Sequence, residues 1–148
     1  MKIFVLIILG LFSTTTIKNT NSTPSIDVYN LEGVWNLKHQ LLYDQNQVSD
    51  TIFNTNGYRQ VKVYSKGKVM WTRFDPADSN EWFGYGSYVI KGNILEERLE
   101  YASGPMMKII DTIQVFKFEL VMDKNSYQQI TVDENGQYYQ SENYIRIE

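Results

Sequence analysis

The sequence contains a single histidine, His39, which is the side chain best suited to proton transfer near neutral pH. Polar residues alternate with apolar ones around it, so His39 is predicted to share one strand face with Trp35, Leu37 and Leu41. If that face is inward, the imidazole could act as an acid or base. It could equally hydrogen-bond a tyrosine hydroxyl or lie in solvent near an opening. No catalytic motif accompanies it, so we expect no enzymatic activity.

Two carboxylates fall on predicted strand faces where polar groups have to be satisfied. Glu97 shares a face with Leu99, and Glu142 shares one with Tyr144 and Arg146. Charges inside a protein must be paired or hydrated. If these faces are inward, the side chains form an internal polar network. Such a network could anchor the polar head of a ligand, or it could be a saturated core network that fixes the strand register.

Composition excludes several classes of chemistry. The chain has no cysteine, which removes disulfides, thiolate catalysis and thiolate metal sites, and with one histidine a conventional zinc site is not expected. The oxygens of Asp75, Asp78 and Asn80 lack the glycine and terminal glutamate of a calcium loop. The net charge of −3 and the lack of a basic run argue against nucleic-acid binding. We therefore expect no metal, no cofactor and no nucleic acid.

The first residues have the three-part pattern of a secretory signal. Lys2 precedes the apolar run 3–12 (IFVLIILGLF), and Ser13 with three threonines follows it. We predict a signal peptide over residues 1–18, a flexible leader over 19–30, and an exported protein, periplasmic or secreted. The run is too short for a spanning helix, so no membrane span is expected after cleavage, although an uncleaved anchor is the alternative. Because the chain has no cysteine, a lipid anchor attached through an N-terminal cysteine is excluded.

From residue 31 onward, alternating strands are punctuated by turn residues every eight to twelve positions. The alternation predicts eight strands, and the polar segment 44–57 between the first two is expected to be a loop or one helical turn. Short turns such as Lys66-Gly67 and Asn135-Gly136 favour antiparallel hairpins. The predicted strands are 33–43, 58–65, 68–75, 82–90, 93–101, 112–123, 126–132 and 137–147.

Sequential hairpins predict an all-β fold, an eight-stranded antiparallel up-and-down barrel, because closure removes the sheet edges. A β-sandwich would use similar strands but needs longer crossing connections.

Both ends of the domain 31–148 carry a family resemblance. Gly33-Val34-Trp35 resembles the Gly-x-Trp opening strand of the calycins, the lipocalins and fatty-acid-binding proteins. The terminal segment 144–147, with Arg146, resembles their last strand. The resemblance implies a lipocalin-like barrel in which Trp35 lies at the closed end and Arg146 packs against it. A guanidinium on an indole satisfies its charge while its stem covers apolar surface.

The middle of the chain resembles lipocalin-like domains of exported proteins from Bacteroidetes-type bacteria, many of unknown function. The segments that carry this likeness are 69–71, 83–88 and 97–101. Unlike the fatty-acid-binding proteins, this sequence has no helix-turn-helix lid after its first strand. A fatty-acid specificity is therefore not implied.

The leading hypothesis is a non-catalytic carrier that holds a small hydrophobic or amphipathic molecule inside the barrel. One alternative is a fully packed barrel that binds another exported protein through the segments 44–57 and 102–111. An enzyme that uses His39 with an internal carboxylate is the other. The residues predicted to line the ligand site are Leu37, His39, Leu41, Trp71, Tyr88, Glu97, Leu99, Phe116, Phe118, Leu120, Glu142 and Tyr144.

Overall fold

A computed structural model describes residues 30–148 of the chain, so the predicted signal peptide and residues 19–29 lie outside the described part. The predicted all-β class is confirmed, since the described residues form nine antiparallel strands and one short helix. Their bounds are β1 (Gly33–Asp44), β2 (Gln47–Phe53), β3 (Arg59–Ser65), β4 (Lys68–Phe74), β5 (Trp82–Lys91), β6 (Ile94–Ala102), α1 (Gly104–Ile110), β7 (Phe116–Met122), β8 (Ser126–Val132) and β9 (Tyr138–Arg146).

The sheet closes into a ring because β1 pairs along both of its edges. One edge of β1 pairs with β3 over residues 33–36 and then with β2 over residues 39–44. The other edge pairs with β9, and the remaining strands are neighbours in sequence order from β3 to β9. All strands except β2 therefore take part in the ring, and β2 is attached outside it to the second half of β1.

The segment predicted as a loop between the first two strands is a strand, so that prediction was wrong. Gln45 and Asn46 have φ values of 49° and 62° and form the two-residue turn of a β1–β2 hairpin. No glycine marks this turn. Nearly every residue of β2 is exposed, so the segment shows no alternation between a buried and an exposed face.

A tight turn and a short helix connect two pairs of consecutive strands. Lys66-Gly67 forms the predicted two-residue turn between β3 and β4, with φ values of 48° and 76°, a geometry that favours glycine at the second position. The short helix α1 begins after Ser103 with Pro105 in its first turn. Among residues 30–148, no helix has the length and apolar character needed to cross a membrane.

The core lies inside the ring, but on β3 the hydrophobic pattern is inverted. Gln60, Lys62 and Tyr64 are buried and face inward, whereas Val61 and Val63 are half-buried on the outer face. The polar face of this strand is thus the interior one. The buried apolar core consists of Leu31, Trp35, Leu37, Tyr64, Val69, Leu95, Leu99, Met106, Leu120, Tyr127 and Tyr144.

Candidate ligand cavity

The ring encloses a cavity of about 330 Å³ whose walls differ in chemistry. Side chains from β4, β6, β7 and α1 make one side mostly apolar, while β3, β8 and β9 supply amides, a hydroxyl and a carboxylate on the other. The lining consists of Gln60, Lys62, Trp71, Arg73, Trp82, Glu97, Leu99, Met106, Ile109, Phe116, Phe118, Gln129, Thr131, Gln140 and Glu142.

The apolar wall depends on a glycine opposite an indole. A Cβ added to Gly84 would lie 2.8 Å from Nε1 of Trp71 and 3.0 Å from Cδ1 of Leu99, so only glycine lets the indole lie flat against β5. Trp71 and Leu99 then face the cavity together with Phe116 and Phe118 from β7. This wall provides an apolar surface built by three different strands.

A buried ion pair lies between the two walls. Nζ of Lys62 lies 3.0 and 3.1 Å from the two carboxylate oxygens of Glu97 and donates to Oε1 of Gln129 at 3.0 Å. Tyr64 donates its hydroxyl proton to the same carboxylate. Lys62 and Glu97 are each only 3% exposed, so their charges are satisfied by one another and by these neighbours.

Glu142 is the second interior carboxylate, and neutral groups surround it. Gln60 donates to its Oε1 at 3.0 Å, while Gln129 and Tyr144 donate to its Oε2 at 2.8 and 2.7 Å. Gln60 also donates to the Tyr144 hydroxyl oxygen. Gln129 therefore links Glu142 to Lys62, the partner of Glu97, so that Glu97 and Glu142 belong to one continuous network.

Three phenols below the cavity are fully enclosed. Burial raises the pKa of Tyr64, Tyr127 and Tyr144 well above the ordinary value, and nearby carboxylates reinforce the shift. Glu97 acts in this way on Tyr64, and Glu142 acts on Tyr144. These hydroxyls are therefore neutral: Tyr64 and Tyr144 donate to the carboxylates and Tyr127 donates to Tyr64, which suits a structural role rather than that of a base.

The mouth of the cavity carries a second cation, Arg73. Its guanidinium carbon lies 4.3 Å from the ring centroid of Trp82, which fits a cation–π contact. Nε of Arg73 is shielded from solvent and has no hydrogen-bond partner among the described residues. Trp82 is held from the other side, since its Nε1 donates to Asp78 at 2.6 Å.

The opposite end of the ring is sealed by the two residues of the predicted structural pair. The guanidinium carbon of Arg146 lies 4.1 Å from the Trp35 ring centroid, and Trp35 is fully buried. Arg146 donates to the backbone carbonyls of Glu32, Asn30 and Lys124. The structure thus brings the pair together and gives each nitrogen of the guanidinium one backbone partner.

Most of the predicted site residues face the interior, but at two depths. Leu37, Leu120 and Tyr144 are buried in the core between the cavity and Trp35, and Tyr88 packs against Tyr64 at a centroid distance of 4.9 Å. The residues that line the cavity itself are Trp71, Glu97, Leu99, Phe116, Phe118 and Glu142.

His39 and Leu41 do not share the face of Trp35 and Leu37, so that prediction was wrong. The β1–β9 register shifts between Leu37 and His39, which moves the following residues to the other face. His39 pairs with Asn143 and lines an outer groove, whereas Glu142 faces the cavity. Burial, and secondarily the charge of Lys38, lowers the pKa of His39. The proton-transfer arrangement with Glu142 is therefore not formed.

Sequence reasoning missed the residues that complete the cavity. The missed polar residues are Gln60 and Lys62 on β3 and Gln129 on β8. Each lies next to a β-branched apolar residue, and hydrophobicity alone would assign the apolar neighbour to the inner face. The signal that could have found them is the spacing of Tyr58, Gln60, Lys62 and Tyr64, a row of hydrogen-bonding side chains at strand period. Arg73, Thr131, Gln140 and the helix residues Met106 and Ile109 were also missed. No cluster of three metal-ligating side chains occurs within residues 30–148.

Comparison with known proteins supports the fold alone. No family model and no curated protein matches the chain. The chain is similar to the crystal structure of an uncharacterized protein from Bacteroides eggerthii DSM 20697, with 11% sequence identity and a TM-score of 0.50. The match covers 79% of this chain and 99% of the other. The chain therefore shares an all-β, ring-like fold with a Bacteroides protein of uncharacterized function.

Proposed function

We propose that this protein is a non-catalytic carrier that binds a small, largely apolar molecule inside the ring. We further propose that the ring is an eight-stranded lipocalin-like barrel with β2 attached outside it, and that the chain is exported. The observation that carries the proposal is the two-sided cavity of about 330 Å³. Ligand cavities are concave, mostly apolar spaces with a few placed polar groups, which is the pattern seen here.

The walls define the shape of the ligand that would fit. One side would lie against Trp71, Leu99, Phe116 and Phe118, where burial of apolar area drives binding. The other side would face amides and the half-buried Glu142. A molecule that is apolar on one face and carries hydrogen-bonding groups on the other satisfies both walls.

The polar wall contains two kinds of residue: some hold the wall in place, and others can contact the ligand. Lys62 and Glu97 satisfy one another and are almost completely buried, so they position the wall rather than anchor a ligand. Glu142, Thr131 and Gln140 lie toward the mouth, with part of their surface open. Hydrogen bonds to the ligand are therefore expected from these three residues.

The cavity size limits the ligand to a small molecule. It lies near the lower end of the 300–1,000 Å³ that is usual for ligand pockets, in order of magnitude. A compact ring system fits this space better than a long extended chain.

Titration with the neutral fluorescent dye N-phenyl-1-naphthylamine tests the proposal. We expect saturable binding of one dye per chain, and Thr131→Trp, which places an indole at the mouth, should weaken it by about tenfold. Thr72→Trp adds the same indole to the exposed outer face of β4 and should leave the affinity unchanged. Equal binding by both variants, or no saturable binding by the unsubstituted protein, would contradict an internal site.

A second candidate function has one observation in its favour. Among the described residues β2 pairs only with β1, and Val48, Ile52 and Phe53 are 54%, 44% and 64% exposed. An extended segment of another protein could add to this open strand edge. This interaction function would become the better candidate if the dye titration detected no internal site.

A further inference from the structure

The charges that face the cavity are not all satisfied to the same degree. Lys62 is paired with Glu97, and Glu142 accepts hydrogen bonds from three neutral donors. Arg73 is different, because it forms no ion pair with any carboxylate of residues 30–148. Arg73 is thus a cavity-lining cation without an anionic partner.

The position of Arg73 is nevertheless well defined. Its guanidinium is stacked on Trp82, and Trp82 is tied to Asp78. Asp78 in turn accepts from the backbone and side chain of Asn80, and these hydrogen bonds lower the pKa of Asp78 more than the charge of Arg73 does. The Asp78 carboxylate is therefore engaged in holding the wall, and it does not neutralise Arg73 by direct contact.

We propose that the ligand is an organic anion and that Arg73 binds its carboxylate, sulfonate or phosphate group at the mouth of the cavity. This inference rests on the proposed carrier function and specifies the charge of the ligand. Arg73 lines the cavity and makes no ion pair with a described carboxylate, and the planar donor edge of a guanidinium matches a two-oxygen anion. The stacked position on Trp82 orients this edge before the ligand arrives.

A carboxylate near Arg73 sets the direction in which such an anion would bind. Gln60 pairs with Arg73 across β3 and β4 and donates to Glu142 at 3.0 Å, so Arg73 and Glu142 lie at a similar depth in the cavity. The Glu142 carboxylate would repel a negative group, whereas the Arg73 guanidinium would attract it. The anionic group therefore binds on the Arg73 side of the mouth, while the apolar body extends toward Phe118.

A matched pair of dyes separates the charge from the apolar body. The sulfonate dye 1-anilinonaphthalene-8-sulfonate and the neutral N-phenyl-1-naphthylamine share one ring skeleton. We expect the full chain to bind the sulfonate dye about tenfold more tightly than the neutral dye, each at one per chain. Arg73→Met should remove this preference and leave the neutral dye bound as before. Arg59→Met removes the same charge from an exposed side chain of β3 and should leave the preference intact.

The outcomes distinguish the two proposals. Equal affinity of the unsubstituted protein for both dyes would overturn the anion inference while leaving the carrier function standing. This comparison does not depend on the folding of any variant. An equal loss of both dyes in Arg73→Met, with a thermal unfolding curve like that of Arg59→Met, would also overturn it. Failure of both dyes to bind would instead overturn the carrier function itself.

Discussion

The two ends of the ring carry the same pair of side chains in two different states. At one end Arg146 lies 4.1 Å from the Trp35 ring, and at the other Arg73 lies 4.3 Å from the Trp82 ring. Arg146 donates to three backbone carbonyls, and its tryptophan is fully buried. Arg73 has a shielded Nε without a partner, and its tryptophan borders the cavity.

The same arginine–tryptophan contact thus has two roles, which the hydrogen bonds of the guanidinium tell apart. A guanidinium that has each of its three nitrogens bonded to a backbone carbonyl closes the ring and stabilises the fold. One whose donors remain open beside a cavity has capacity left for a ligand. Stability should therefore depend on the end with Arg146, and binding should depend on the end with Arg73.

The largest effect is expected at the boundary between the two ends, where Lys62 meets Glu97. Lys62→Met leaves the Glu97 carboxylate buried without its cation, and urea unfolding should show a loss of about 3–5 kcal/mol. Lys68→Met removes a lysine from the exposed Lys68–Glu100 pair and should change stability little. Equal losses in the two variants would show that Lys62 is not confined to a dry interior.

A smaller effect is expected when the two arginines are compared directly. Arg146→Met removes charged donors from three backbone carbonyls and should cost about 2–3 kcal/mol in the free energy of unfolding. Arg73→Met breaks no ion pair with a described carboxylate and should cost less than about 1 kcal/mol. If urea unfolding ranked the two variants in the opposite order, the assignment of structure to one end and binding to the other would fail.

The smallest effect concerns pH at the sealed end. The raised pKa values of Tyr64, Tyr127 and Tyr144 mean that these phenols hold their protons more tightly when folded than when unfolded. Their contribution is fully present below about pH 10 and is lost as the pH rises through their folded-state pKa values.

Unfolding curves between neutral and alkaline pH check this expectation. Tyr144→Phe should make the decline of stability above the ordinary phenol pKa less steep. Tyr139→Phe changes an exposed side chain and serves as the control. A phenolate absorbance that develops fully before the protein unfolds would contradict the enclosure of these tyrosines.

The alternation of residues predicted much of the sheet from the sequence. The strand 126–132 was predicted with its observed bounds, and the other ring strands agree within a few residues. The strand β2 was missed because it lies outside the ring with nearly all residues exposed, so burial imposes no period on its sequence. Its turn, Gln45-Asn46, also lacks the glycine by which such turns are usually recognised.

The candidate site was harder to predict because it reverses the rule from which strand faces are inferred. On β3 the valines face outward and the amide, amine and phenol face inward, so hydrophobicity indicates the wrong face. A single register shift in β1 moved His39 and Leu41 out of the interior. The polar interior left one signal, the row of hydrogen-bonding side chains at strand period on β3. The register shift left none, since it depends on a partner strand that is distant along the chain.

The most direct test of the carrier function is native mass spectrometry of the protein purified under non-denaturing conditions from the cells that make it. We expect a reproducible added mass that disappears after extraction with organic solvent and exceeds the noise of adduct peaks. The extracted compound should be a small amphipathic anion. A bare protein mass, together with no saturable binding of either naphthalene dye, would contradict the account.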